Sequence, residues 1–163
     1  MNYFELFDLP FAPVIDKTFV ARKFFELQKK YHPDFYSHAS SDEQENVLLQ
    51  SANINDAFKI FQQPDKTLAY YLREKGILEE EEKFNLPPDF LMEMMELNED
   101  LPDEEEVTTK AKINEYCTRL EESVIPIYSN ASVRELSVEE LLELKTYYYK
   151  KKYLNRILDR LND

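Results

Sequence analysis

The chain has 163 residues, 43% of them hydrophobic, enough for one ordinary domain or two very small ones with a real core. A single glycine, Gly76, excludes Gly-rich phosphate-cradling loops and argues against tight β-hairpins, so an all-α class is expected. Two histidines and one cysteine exclude a Cys/His zinc site and an internal disulfide. No Glu stands three residues before either histidine, as a di-iron bundle needs.

Net charge is −13, and it is unevenly spread. Residues 1–76 carry a net −2, residues 77–106 a net −12 and residues 107–163 a net +1. An acidic middle is a poor nucleic-acid binder and a good match for a basic protein partner. MNYFELFDLP has neither a basic leader nor a long apolar stretch, and no apolar run approaches the ~20 residues of a membrane span. A cytoplasmic chain without membrane contact is expected.

In chain order, Tyr3 to Leu9 reads as a short apolar turn or helix, followed by a loop at Pro10 and Pro13. Asp16 is the expected N-cap of a helix to about Tyr31, with Val20, Phe24, Leu27 and Tyr31 on one face. Arg22, Lys23, Lys29 and Lys30 occupy the other, interrupted by Glu26. Pro33 stops this helix. Ser41 and Gln44 fit a capping box for the next, which carries Val47, Ser51, Ile54, Phe58 and Phe61 up to Pro64. A short helix over 66–75 closes on Gly76.

Glu79 to Glu82 is a solvated charge run, and Pro87-Pro88 resets the backbone. Three helices are expected beyond it, at about 89–101, 104–128 and 137–162. Pro126 should kink or end the middle one, and Ser137 with Glu140 should box the start of the last. Cys117 falls on the apolar stripe Ile113, Cys117, Leu120, Val124 and Ile127, the place of a buried thiol. The interleaved Tyr147–Tyr153 stretch belongs to a stripe through Leu144, Leu154, Leu158 and Leu161. Its lysines reach to solvent, so it is not read as a nucleic-acid surface.

Two groups of residues stand out. His32-Pro33-Asp34 fits an ordinary turn, an interaction loop or an acid–base pair, although nothing nearby completes a catalytic site. In the segment after Pro87, Phe90, Met94, Leu97 and Leu101 form a core stripe. Leu91, Met92 and Met95 form a second, continued by Glu96 and Glu99. A helix apolar on two sides is either sandwiched or offers one side to a partner, and Met suits adaptable binding surfaces.

Tyr31-His32-Pro33-Asp34 at the end of a basic helix, with Asn55-Asp56-Ala57-Phe58-Lys59-Ile60-Phe61, Pro64 and Tyr70, resembles a J-domain. With Tyr3 to Pro10 and Phe90-Leu91-Met92-Glu93, nearly the whole chain resembles the HscB-type co-chaperones of iron–sulfur cluster assembly. Lacking the tetracysteine zinc element of some relatives, it is most similar to the bacterial short form.

The resemblance implies a J-domain at 1–76, an acidic linker at 77–83 and a scaffold-binding three-helix bundle at 84–163. It implies no catalytic residue, no metal and no cofactor. His32, Pro33 and Asp34 would stimulate the ATPase of a DnaK-type chaperone (HscA), with Arg22, Lys29 and Lys30 in docking. Leu91, Met92, Met95, Glu96, Glu99 and Tyr153 would bind an IscU-type iron–sulfur scaffold, with Asp103 extending the patch. Thr67 stands where that family usually has Arg, which puts a local contact in question. A J-domain adaptor for another client is the alternative, with a small acid–base enzyme at His32 and Asp34 more remote.

Overall fold

Most helices begin where a side chain or a proline deals with the unpaired N–H groups of the first turn. The computed structural model describes residues 1–100 and 106–162, with the side chains of 98–100 also outside the description. Among the described residues the regular structure is helical, without a strand. The chain divides into two compact units, Met1–Tyr71 and Leu72–Asp163.

In the first unit, α1 (Tyr3–Leu6) is opened by a capping box that the sequence reading did not anticipate. The Asn2 side chain accepts from the Glu5 N–H at 2.9 Å, and the Glu5 carboxylate accepts from the Asn2 N–H at 3.2 Å. α2 (Lys17–Lys30) starts as expected on Asp16, whose carboxylate accepts from the N–H groups of Thr18 and Phe19. A 3-10 turn (Pro33–Tyr36) leads to α3 (Ser41–Phe61). The α3 cap lies one residue before the expected position. Ser40 Oγ accepts from the Glu43 N–H, while Gln44 Nε2 reaches back to the carbonyls of Tyr36, Ser37 and Ala39. Gln44 therefore serves the loop and leaves the helix start to Ser40.

α2 packs against α3 with Phe24 stacked on Phe58 at 3.9 Å and Gln28 donating to Asn55 at 2.7 Å. Phe4, Phe7 and Phe61 are buried together, and the Tyr70 hydroxyl accepts from the Tyr3 N–H at 2.9 Å. α4 (Pro64–Glu74) has Pro64 as its first residue, where its missing N–H costs nothing. Buried Thr67 donates through its hydroxyl to the Ile60 carbonyl at 2.9 Å and lies 3.1 Å from that of Gln63. The position in question thus holds the α3–α4 joint without an ion pair. α4 ends in a Schellman motif: Gly76 takes φ 74°, its N–H donates to Arg73, and the Ile77 N–H reaches back to Leu72.

The second unit contains α5 (Pro88–Asp100), α6 (Glu106–Ala131) and α7 (Val138–Asn162). Phe90, Met94, Ile113, Cys117, Leu154 and Ile157 form its buried core. Burial raises the thiol pKa of Cys117, as befits a packed, unreactive group. α6 does not end at Pro126 but continues five residues further. Pro126 is exposed, and buried Val124 and Ile127 on either side tie the chain to the bundle, outweighing the one helix bond lost. Ser137 and Glu140 do form a reciprocal box at the start of α7, at 3.0 and 3.2 Å. The charge run is not solvated throughout, because Glu82 is held by Lys145. Among the described residues no helix is long and apolar enough to cross a membrane.

Candidate functional site

The His32-Pro33-Asp34 turn is exposed but well fixed. Pro33 forces His32 into extended backbone, φ −71° and ψ 125°, which makes His32 the cap of the 3-10 turn. Its Nδ1 accepts from the Asp34 N–H at 3.3 Å, and its carbonyl accepts from the Phe35 N–H at 3.1 Å. The Tyr36 hydroxyl donates to the Lys30 carbonyl at 2.8 Å, anchoring the turn to the end of α2. An Nδ1 that accepts leaves the N–H of the neutral ring on Nε2. The Asp34 carboxylate lies 3.6 Å from Nδ1 and is 88% exposed.

Arg22 and Lys29, two turns apart on α2, and neighbouring Lys30 are all exposed. Lys23 is not part of this cationic face: its ammonium is bound by Asp8, with Glu26 at 3.7 Å. His32 and Asp34 sit in the open.

The second group is carried by α5. Pro87 and Pro88 begin the helix, with the Leu91 N–H donating to the Pro87 carbonyl at 3.1 Å. Helical spacing then buries Phe90 and Met94 to 1% and 0% exposure. It leaves Leu91, Met92 and Met95 at 39%, 62% and 61%. Glu96 is exposed beside them. It also borders a groove of about 260 Å³ between α5 and α6, lined by Glu93, Lys112, Tyr116 and Arg119. Tyr116 has its pKa raised by burial and by hydrogen-bonded Glu93.

Tyr153 on α7 is half-buried with its ring edge-on to Phe90 at 5.7 Å, so the core residue next to Leu91 links it to α5. The side chain of Glu99, and Leu101 and Asp103, lie outside the described residues. Among the described residues no cluster of His, Cys, Asp or Glu has the makings of a metal site.

Phe35 is the residue that the sequence reading passed over. It is 74% exposed, with its ring edge-on to His32 at 5.8 Å. An aromatic directly after Asp34, in an otherwise polar loop, was the signal available.

Residues 86–162 match the family described as the HSCB C-terminal oligomerisation domain. A co-chaperone protein HscB homolog from Vibrio parahaemolyticus is 40% identical over 104 residues, covering 63% of this chain and 61% of that protein. One from Photobacterium profundum is 39% identical over the same length, with the same shares. The chain is similar to the HscB co-chaperones over these stretches. The matched stretch spans about three fifths of the length of these HscB relatives.

Two solved HscB structures extend the likeness to the fold. Chaperone HscB from Vibrio cholerae superposes with a TM-score of 0.63 at 29% identity, covering 99% of each chain. Human co-chaperone HscB gives 0.79 at 24% identity, covering 99% of this chain and 81% of the human one, a likeness of fold. The expected all-α architecture, an N-terminal J-domain-like part and a C-terminal helical part, is the one these proteins share.

Proposed function

We propose that this chain is a cytoplasmic adaptor, not an enzyme, that delivers an IscU-type iron–sulfur scaffold to a DnaK-type chaperone of the HscA kind and stimulates its ATP hydrolysis. The J-domain, residues 1–76, engages the chaperone through His32, Pro33 and Asp34, with Arg22, Lys29 and Lys30 steering the approach. The bundle, residues 84–163, holds the scaffold on Leu91, Met92, Met95 and Tyr153, with Glu96 and Glu99 setting register against basic groups. Holding both partners raises the scaffold's effective concentration at the chaperone's substrate site.

The observation that carries this reading is the two-sided α5. Phe90 and Met94 already satisfy the core, so three exposed apolar side chains on the opposite face have no structural task within the unit. The turn at His32 supports it, since its hydrogen bonds hold an exposed geometry in place.

The test is steady-state ATPase of an HscA-type chaperone with this protein, with an IscU-type scaffold, and with both, repeated with His32→Gln. Synergy that disappears in the variant is the expected result. Stimulation indifferent to the scaffold keeps the J-domain role and removes the client, leaving an adaptor for another protein. No stimulation by folded wild-type protein overturns the reading.

A further inference from the structure

We infer that Phe35 is the apolar anchor by which this chain seats its His-Pro-Asp face on the DnaK-type chaperone, entering an apolar pocket bordered by carboxylates. The inference rests on the co-chaperone reading and adds a binding residue and a pocket chemistry to it.

Phe35 is the most exposed aromatic side chain among the described residues, at 74%. Its place is set by the backbone: its N–H donates to the His32 carbonyl. The following Tyr36 is bonded to Lys30, and Gln44 grips the carbonyls of Tyr36, Ser37 and Ala39. A backbone held this way has no turn left to order on docking, so less of the ring's contact energy is lost to ordering the chain. Aromatic side chains in that situation are the usual strong points of an interface.

The ring's surroundings specify the partner. The ring lies against His32, so a surface that accepts the ring also meets the imidazole. The same turn is the continuation of α2, whose exposed Arg22, Lys29 and Lys30 require carboxylates opposite them. Apolar centre and charged rim is the arrangement in which the centre sets residence time and the rim sets approach.

The experiment titrates wild type, Phe35→Ala, Phe35→Leu and Val133→Ala against a fixed amount of an HscA-type chaperone, reading ATPase rate. Circular dichroism melts accompany it to show that each variant is folded. Val133, 80% exposed at the other end of the molecule's sequence, controls for loss of any exposed apolar group. The expected result for Phe35→Ala is a rise of at least about tenfold in the concentration giving half-maximal stimulation, with the maximum retained. Phe35→Leu should fall between it and wild type, and Val133→Ala should match wild type. A Phe35→Ala curve superimposed on wild type overturns the anchor while leaving the co-chaperone reading intact. So does a lowered maximum at an unchanged midpoint, which would make Phe35 part of the trigger. Absence of stimulation by wild type overturns both.

Discussion

Lys145 on α7 donates to the Glu82 carboxylate and to the Ile77 carbonyl, each at 2.8 Å, and so ties the acidic segment to the bundle at two points. Its ammonium also lies 5.6 Å from the centre of the Phe84 ring, which stacks on Tyr149 at 4.5 Å. The two charged side chains are only 13% and 19% exposed, so each depends on the other for its solvation. Lys145→Met keeps the stem and removes the charge. We expect it to cost about 2 kcal/mol, because Glu82 and the Ile77 carbonyl lose their donor together. Urea unfolding of the two proteins checks this, and a difference below about 0.5 kcal/mol would mean that water replaces the ammonium at no cost.

The same cluster sets an alkaline limit. Burial first, then the charge of Glu82 and its hydrogen bond, push the Tyr149 hydroxyl up to about 12 from the ordinary 10.0. Between these values the unfolded chain releases the proton and the folded chain keeps it, so the folded state loses stability as pH rises from 10 to about 12. The contribution is complete below pH 10. Tyr149→Phe should therefore show a shallower fall of melting temperature over that interval than wild type. Parallel profiles would show that the hydroxyl is not protected.

Glu140 gives the opposite sign at the acid end. Arg134 first, then the Ser137 N–H and Asn130, hold its carboxyl down to about 2 from 4.5. The folded state is favoured above the higher value, and the advantage is lost as pH falls from 4.5 towards 2. Glu140→Gln should flatten the wild-type decline in melting temperature across that range. Thermal melts at pH 5, 4, 3 and 2.5 read it directly, and an unaltered decline would place the acid sensitivity elsewhere.

These clusters also mark what could and could not be read in the sequence. Asp16, Gly76 and the Ser137–Glu140 box act within a few residues of themselves, so their chemistry is visible in a short window. The two stripes of α5 are equally local, because a 100° step per residue separates Phe90 and Met94 from Met92 and Met95. Glu82 is different: its partner lies 63 residues away, and within its run nothing distinguishes it from Glu79, Glu80 or Glu81. Pro126 could not place the end of α6 for a related reason. Its local cost is genuine, but packing by residues on either side decides whether the helix survives it. Gln44 looked like half of a capping box, and the loop geometry that diverts it to three carbonyls is not encoded in the spacing.

Thr67 offers a small, sharp test of a buried hydroxyl. It is 2% exposed and bonds the last turn of α3 to the first turn of α4. Thr67→Val preserves shape and removes the donor, leaving the Ile60 carbonyl to the Gln63 N–H at 3.2 Å. A loss of about 1 kcal/mol is expected in denaturant unfolding. Thr67→Ser, which keeps the hydroxyl, should recover part of it. If Thr67→Val matches wild type while Thr67→Ser loses stability, the methyl group's packing matters and the hydrogen bond does not.

The decisive contrast lies along α5, where neighbouring methionines have opposite surroundings. Met94 is fully buried among Phe90, Ile113, Cys117, Leu154 and Ile157, so Met94→Ala leaves a cavity and should cost about 2–5 kcal/mol. Leu91 and Met92 are exposed, and the double variant Leu91→Ala, Met92→Ala should leave the melting temperature within about 2 °C of wild type. Under the adaptor reading the same double variant should weaken binding of an IscU-type scaffold by at least about tenfold in calorimetry. Stimulation of the chaperone by the J-domain alone should be unaffected, because no residue of the His32 turn has been altered. A large loss of thermal stability in the double variant would assign that stripe to the core and remove the surface on which the client reading depends.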